Sequence, residues 1–166
     1  MKDLSSHMMD IVQNSIRAEA SWIQIRICED PEADLFLIEI QDNGCGMDEA
    51  TLARVRDPFF TSRTVRKVGL GIPLLQQNAE RTGGKVSIVS QPGQGTTLTA
   101  RFGHSHLDRP PLGDVAETLT LLAAANPAIH FSYDHTTPSG TYRFDTQEII
   151  QVLEGVPVSY THLTLP

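Results

Sequence analysis

The residues best suited to chemistry fall in four short stretches. In H-M-M-D-I-V-Q-N-S-I-R-A (7–18), Asp10 and Asn14 stand four apart. On a helix that spacing places a carboxylate and an amide on one face. D-N-G-C-G-M (42–47) sets a carboxylate, Asp42, before two glycines. R-K-V-G-L-G-I-P-L-L (66–75) joins an Arg-Lys doublet to glycines that run into an apolar segment. Backbone N–H groups at a helix start are unpaired and carry partial positive charge, so such glycines suit a phosphate. Arg63, Arg66 and Lys67 add side-chain charge beside them. The plainer alternative is a glycine turn feeding a helix, with the basic residues in solvent. The fourth stretch, G-Q-G-T-T-L-T-A-R-F (93–102), reads as a strand entered through glycines.

Elements that could position these residues follow from the patterning. Leu4, Met8, Ile11 and Val12 form the apolar stripe of a helix over 4–19. W-I-Q-I-R-I-C (22–28) alternates as a half-buried strand does, and L-F-L-I-E-I-Q (35–41) is its expected partner. A short helix is expected over 48–55, and another over 71–81, where Pro73 sits in the first turn and Gly83-Gly84 stops it. Strands 85–90 and 96–102 flank a Q-P-G-Q-G hairpin turn. The order predicts an α/β (α+β) two-layer sandwich, a mixed sheet with helices on one face. A proline-bearing connector leads to a small C-terminal α/β extension: a helix (114–125), strands (129–134 and 141–144) and a last helix (146–154). The domain division is 1–102, then 103–158. The terminal S-Y-T-H-L-T-L-P (159–166) resembles translated sequencing-adapter read-through and is expected to be a non-native tail.

Together the four stretches resemble the histidine-kinase-like ATPase superfamily. It includes the ATPase domains of gyrase B subunits, mismatch-repair proteins, heat-shock-90-type chaperones, sensor histidine kinases and anti-sigma-factor serine kinases. The resemblance covers residues 1–102 and looks closest to small stand-alone bacterial ATP-binding proteins. It implies ATP and Mg²⁺ as ligands. Asp42 would accept a hydrogen bond from the adenine amino group, because a carboxylate is acceptor-only and rejects a carbonyl. Gly44 and Gly46 would let the backbone lie against the base, with Met47 on the pocket wall. Asn14 matches the Mg²⁺-coordinating asparagine; one amide oxygen suffices beside phosphates and water. Gly69, Leu70 and Gly71 would hold the phosphates, and Arg63, Arg66 and Lys67 would reach the β and γ groups. Asp57, Phe59 and Phe60 resemble the segment that anchors a lid, although a core role for the rings fits equally. Thr96 would hydrogen-bond near the adenine or serve as a plain strand threonine. Asp10 stands where hydrolytic relatives carry a glutamate, so it is the candidate general base or a metal-organising group.

Composition narrows the alternatives. The 166 residues carry a net charge of −7, which argues against broad nucleic-acid binding. Five of the 13 Lys and Arg residues lie within 54–67, a compact basic island suited to a small polyanion. No apolar run approaches a membrane span, and the N-terminus lacks a signal-peptide pattern. With two cysteines, Cys28 and Cys45, reduced thiols in a cytoplasm are expected. Cys45 would sense oxidation if exposed, or fill space if buried. H-x-H-x-D (His104, His106, Asp108) could offer a metal three ligands, but no fourth is evident; polar packing between the two parts of the chain is the expected role. The nucleotide could be hydrolysed slowly or its γ-phosphate passed to a partner protein. Alternatively, it could be bound without turnover by a switch whose lid closure controls a partner. A chain opening on its Asn14 helix is expected to be something other than a complete sensor histidine kinase, and His7 within that helix is not the expected phospho-acceptor.

Overall fold

A computed structural model describes residues 3–56, 71–105, 109 and 112–146. Helix α1 (Leu4–Arg17) starts at Asp3, whose carboxylate accepts from the Ser6 N–H at 2.8 Å. That bond satisfies one of the orphan donors of the first turn. The expected stripe of Leu4, Met8, Ile11 and Val12 is buried, and His7 and Ser15 are buried with it. Strand β1 (Trp22–Asp30) pairs antiparallel with β2 (Leu35–Asp42), and α2 (Glu49–Arg56) follows. Helix α3 spans Gly71–Arg81, with both ends where the sequence placed them. Strands β3 (Lys85–Gln91) and β4 (Gly95–Gly103) form the hairpin, and β4 also pairs with β2.

Helix α4 (Val115–Ala125) is capped by Asp114, which accepts from the Glu117 N–H at 2.9 Å. Strand β5 (His130–Thr137) then lies parallel to β1, and β6 (Gly140–Asp145) pairs antiparallel with β5. The result is one mixed six-stranded sheet in the order β3-β4-β2-β1-β5-β6. The described part of the C-terminal segment thus continues the same sheet, and Val115, Leu119, Leu122, Phe131 and Tyr133 join the same hydrophobic core. The expected final helix beyond Thr146, and the tail at 159–166, lie outside the described residues.

Alternation along each strand decides which face is covered. Ile23, Ile25 and Ile27 of β1, Phe36, Ile38 and Ile40 of β2, and Leu98, Ala100 and Phe102 of β4 are all buried on one side. The helices close over that side, giving the two-layer architecture. The other side carries polar pairs such as Arg26–Glu39, 3.6 Å apart. A buried cross-tie joins two of the helices: Asn78 Nδ2 of α3 donates to His7 Nε2 of α1 at 2.8 Å. Among the described residues, no helix is long and apolar enough to cross a membrane.

Candidate functional site

Register brings three of the stretches to one end of the sheet. Asp42, the last residue of β2, lies opposite Ile23 on one side and Thr96 on the other. Helix α1 crosses above, and between them opens a cavity of about 230 Å³. Its walls are largely apolar, from Ile11, Ile40, Ile72, Ile88 and Leu98. Asn14, Ser15, Arg17, Asp42, Thr51 and Thr96 supply the polar groups. A largely apolar cavity with a few fixed polar atoms is the form expected for a small-molecule site.

Asp42 is only 8% exposed, and both its oxygens are held. Ser15 Oγ donates to Oδ2 at 2.6 Å, and the Gly44 N–H donates to Oδ1 at 2.9 Å. The following loop is clamped from two directions. The Cys45 N–H donates to the Ala18 carbonyl at 2.9 Å, and the Gly93 N–H donates to the Cys45 carbonyl at 2.7 Å. Gly46 has φ +70°, and a Cβ there would fall 1.9 Å from the Gln91 carbonyl oxygen. A Cβ on Gly44 would meet the Ala18 carbonyl oxygen at 2.8 Å. Both glycines therefore serve the close approach of loop to helix and hairpin, a packing reason the sequence reading did not include.

The other expected site residues divide clearly. Asn14, Asp42, Gly46, Met47 and Thr96 line the cavity together. Asp10 lies one helical turn before Asn14, half-buried, and is not among the lining residues. Gly71 is the first residue of α3. Arg63, Arg66, Lys67, Gly69 and Leu70 lie outside the described residues, as do Asp57, Phe59 and Phe60. Asn14 Oδ1 accepts a long bond from Arg17 Nη1 at 3.3 Å, while its buried Nδ2 has no hydrogen-bond partner among the described residues. Thr96 shares its hydroxyl with Ser90 at 2.7 Å, and Ser90 also accepts from the Met47 N–H at 2.8 Å.

Sequence reading missed Ser15 and Ser90. Ser15 adjoins Asn14, and a polar residue beside an apolar helical stripe was the available signal. Ser90 carried no signal beyond strand alternation, since its partners come from Met47 and Thr96. Cys45 is exposed and lines the cavity, which corrects the buried space-filling alternative.

At the opposite end of the sheet a second polar cluster ties β1, β4 and β5. Glu29 accepts from His104 Nε2 at 3.0 Å and from His135 Nε2 at 2.6 Å. The Tyr133 hydroxyl lies 3.1 Å from His135 Nδ1, within hydrogen-bond distance. Burial pushes the Glu29 carboxyl up, but the bonds from His135 and His104 outweigh it and hold it below its ordinary value. Among the described residues, no group of three His, Cys, Asp or Glu is placed to hold a metal ion. His104 instead makes the polar contact between the two parts of the chain; His106 and Asp108 lie outside the described residues.

Comparisons with known proteins bear on the family and the fold. The chain is 36% identical over 92 residues to the sensor protein kinase FleS of Pseudomonas aeruginosa, covering 55% of this chain and 23% of that one. It is 34% identical over 97 residues to the signal transduction histidine-protein kinase AtoS of Escherichia coli, covering 58% and 16%. The chain thus spans less than a quarter of the length of these relatives. Among solved structures, the Aquifex aeolicus MutL ATPase domain complexed with ADP matches with a TM-score of 0.51 at 16% identity, over 82% of this chain and 60% of that one. That likeness concerns the fold alone. A family profile described as "Histidine kinase-, DNA gyrase B-, and HSP90-like ATPase" matches residues 2–106. The chain belongs to this ATPase family and carries its ATP-binding domain.

Proposed function

We propose that this domain binds Mg–ATP in the cavity between α1 and the Asp42 loop, and that its γ-phosphate passes to a protein partner in a cytoplasmic signalling system. One observation carries the reading. Asn14, Asp42, Met47 and Thr96, drawn from three separated stretches of sequence, line a single apolar slot. In this reading Asp42 accepts from the adenine amino group, and the isoleucine and leucine walls take the ring faces. Asn14 fits a place beside the phosphates and metal: among the described residues its buried amide nitrogen has no hydrogen-bond partner, and its side-chain oxygen accepts a long bond from Arg17. Bound Mg²⁺ would supply positive charge to the phosphate oxygens. Gly71, at the start of α3, stands where helix N–H groups can meet an anion. The sensor kinases FleS and AtoS, similar in sequence over this region, favour transfer to a protein over release to water.

The test follows γ-labelled ATP with Mg²⁺ and the whole chain in a cell extract, with Asp42→Ala alongside. Label on a protein band, lost in Asp42→Ala, is the expected outcome. Label released as free phosphate by the parent but not by Asp10→Asn would replace transfer with hydrolysis. Label staying in intact, bound ATP would make the domain a nucleotide-responsive switch. If Asp42→Ala bound ATP as tightly as the parent, the site assignment itself would be wrong.

A further inference from the structure

We propose that Ser15 is a positioning residue that sets base specificity: its hydroxyl fixes the plane of the Asp42 carboxylate, and so determines how strongly a 6-aminopurine is preferred over purines lacking that amino group. The proposal rests on the reading of Asp42 given above and goes beyond it by naming what makes Asp42 selective.

Aspartate does not orient itself. Its terminal torsion is broad and roughly two-fold, so the rotamer leaves the carboxylate plane free to turn. Two external bonds remove that freedom here. The Gly44 N–H holds Oδ1 at 2.9 Å from two residues away, a local turn contact. Ser15 Oγ holds Oδ2 at 2.6 Å from a different element, 27 residues earlier in the chain. The two oxygens are thus pinned from the loop and from the helix. A carboxylate offers about four lone-pair directions, so two remain for a ligand donor. The 2.6 Å distance lies at the short end of the range for O–H···O bonds.

Ser15 is an unusual place for such a bond. A serine within a helix commonly returns its hydroxyl to the carbonyl one turn earlier. This one is 3% exposed, lines the cavity, and directs its proton across to Asp42. Alanine at this position would fit the helix but leave Oδ2 of a largely buried carboxylate without a donor. The carboxylate would then turn towards whatever donor it could reach. Ser15 also adjoins Asn14, so one turn of α1 sets both the base-reading group and the amide placed for the phosphates.

The experiment measures dissociation constants for ATP and for purine riboside triphosphate, which lacks the 6-amino group. The whole chain is compared with Ser15→Ala, Ser15→Thr and Asp42→Asn, and thermal midpoints are recorded in parallel. Ser15→Ala is expected to weaken ATP about tenfold, the size of one hydrogen bond to a charged group, and to change purine riboside triphosphate little. The ratio of the two constants therefore falls about tenfold. Ser15→Thr, which keeps the hydroxyl, is expected to keep the ratio. A ratio unchanged in Ser15→Ala, whether both affinities fall together or neither moves, overturns the proposal and leaves Ser15 a packing residue. Unchanged ATP affinity in Asp42→Asn would instead show that the underlying site reading has failed. Loss of ATP binding in Asp42→Asn with an intact Ser15→Ala ratio would refute the Ser15 proposal alone.

Discussion

Replacing Gly46 with alanine separates two costs that a glycine can conceal. The residue has φ +70°, where an L side chain loses roughly 1–2 kcal/mol against its own backbone. The added Cβ would also lie 1.9 Å from the Gln91 carbonyl oxygen and 2.7 Å from its carbon. Both are backbone atoms of a paired strand, so neither can swing away as a side-chain tip would. Overpacking of this kind costs about 1–3 kcal/mol more. The sum, about 2–5 kcal/mol, should lower the thermal midpoint by about 5–15 °C in a chain of this size. Gly93 provides the control. It has a similar φ of +78°, but an added Cβ there meets nothing within 4 Å. Its alanine variant should lose about 1–2 kcal/mol, or a few degrees. The assay is thermal unfolding of both variants followed by circular dichroism. Equal losses in the two would refute the close approach of the Asp42 loop to the hairpin. They would also remove the packing explanation for this glycine.

Two other outcomes follow from the polar contacts. Because Glu29 is held below its ordinary carboxyl pKa of 4.5, the unfolded chain takes up the proton first as pH falls. Its contribution to stability is present above that unfolded value and is lost as pH drops through the depressed folded one. Urea midpoints of the parent should therefore fall across this acid range more steeply than those of Glu29→Gln, which lacks the titrating group. His7→Ala removes a residue 1% exposed and strips Asn78 of its 2.8 Å bond. It should cost about 2–4 kcal/mol in urea unfolding, whereas a value below about 1 kcal/mol would argue against the cross-tie between α1 and α3.

Most of the elements were legible because their signals are local. The alternation of Ile23, Ile25 and Ile27 identifies a strand and its buried face without reference to any partner. Pro73 in the first turn and Gly83-Gly84 after the last marked both ends of α3, and the expected 71–81 span matches Gly71–Arg81. The expected helix over 114–125 matches α4 (Val115–Ala125). Much of the candidate site was legible for a different reason: Asn14, Asp42, Met47 and Thr96 belong to short motifs whose order alone relates them. Asp10 differs from them: Ile11 beside it and Asn14 four residues on line the cavity, and Asp10 is not among the lining residues.

By itself, the sequence determined most of the described secondary structure, the family, and the grouping of Asn14, Asp42, Met47 and Thr96. These follow from period, capping and turn chemistry, which act over a few residues, and from motifs that need no distances. Only the tertiary structure decided what those residues touch. It placed β5 parallel to β1, so the C-terminal segment shares the core and Glu29 is bonded by both His104 and His135. It brought Ser15 onto Asp42 and set Gly46 against Gln91. Each of these contacts joins positions tens of residues apart, and their geometry is settled by how helix, loop and hairpin pack, which no local pattern encodes.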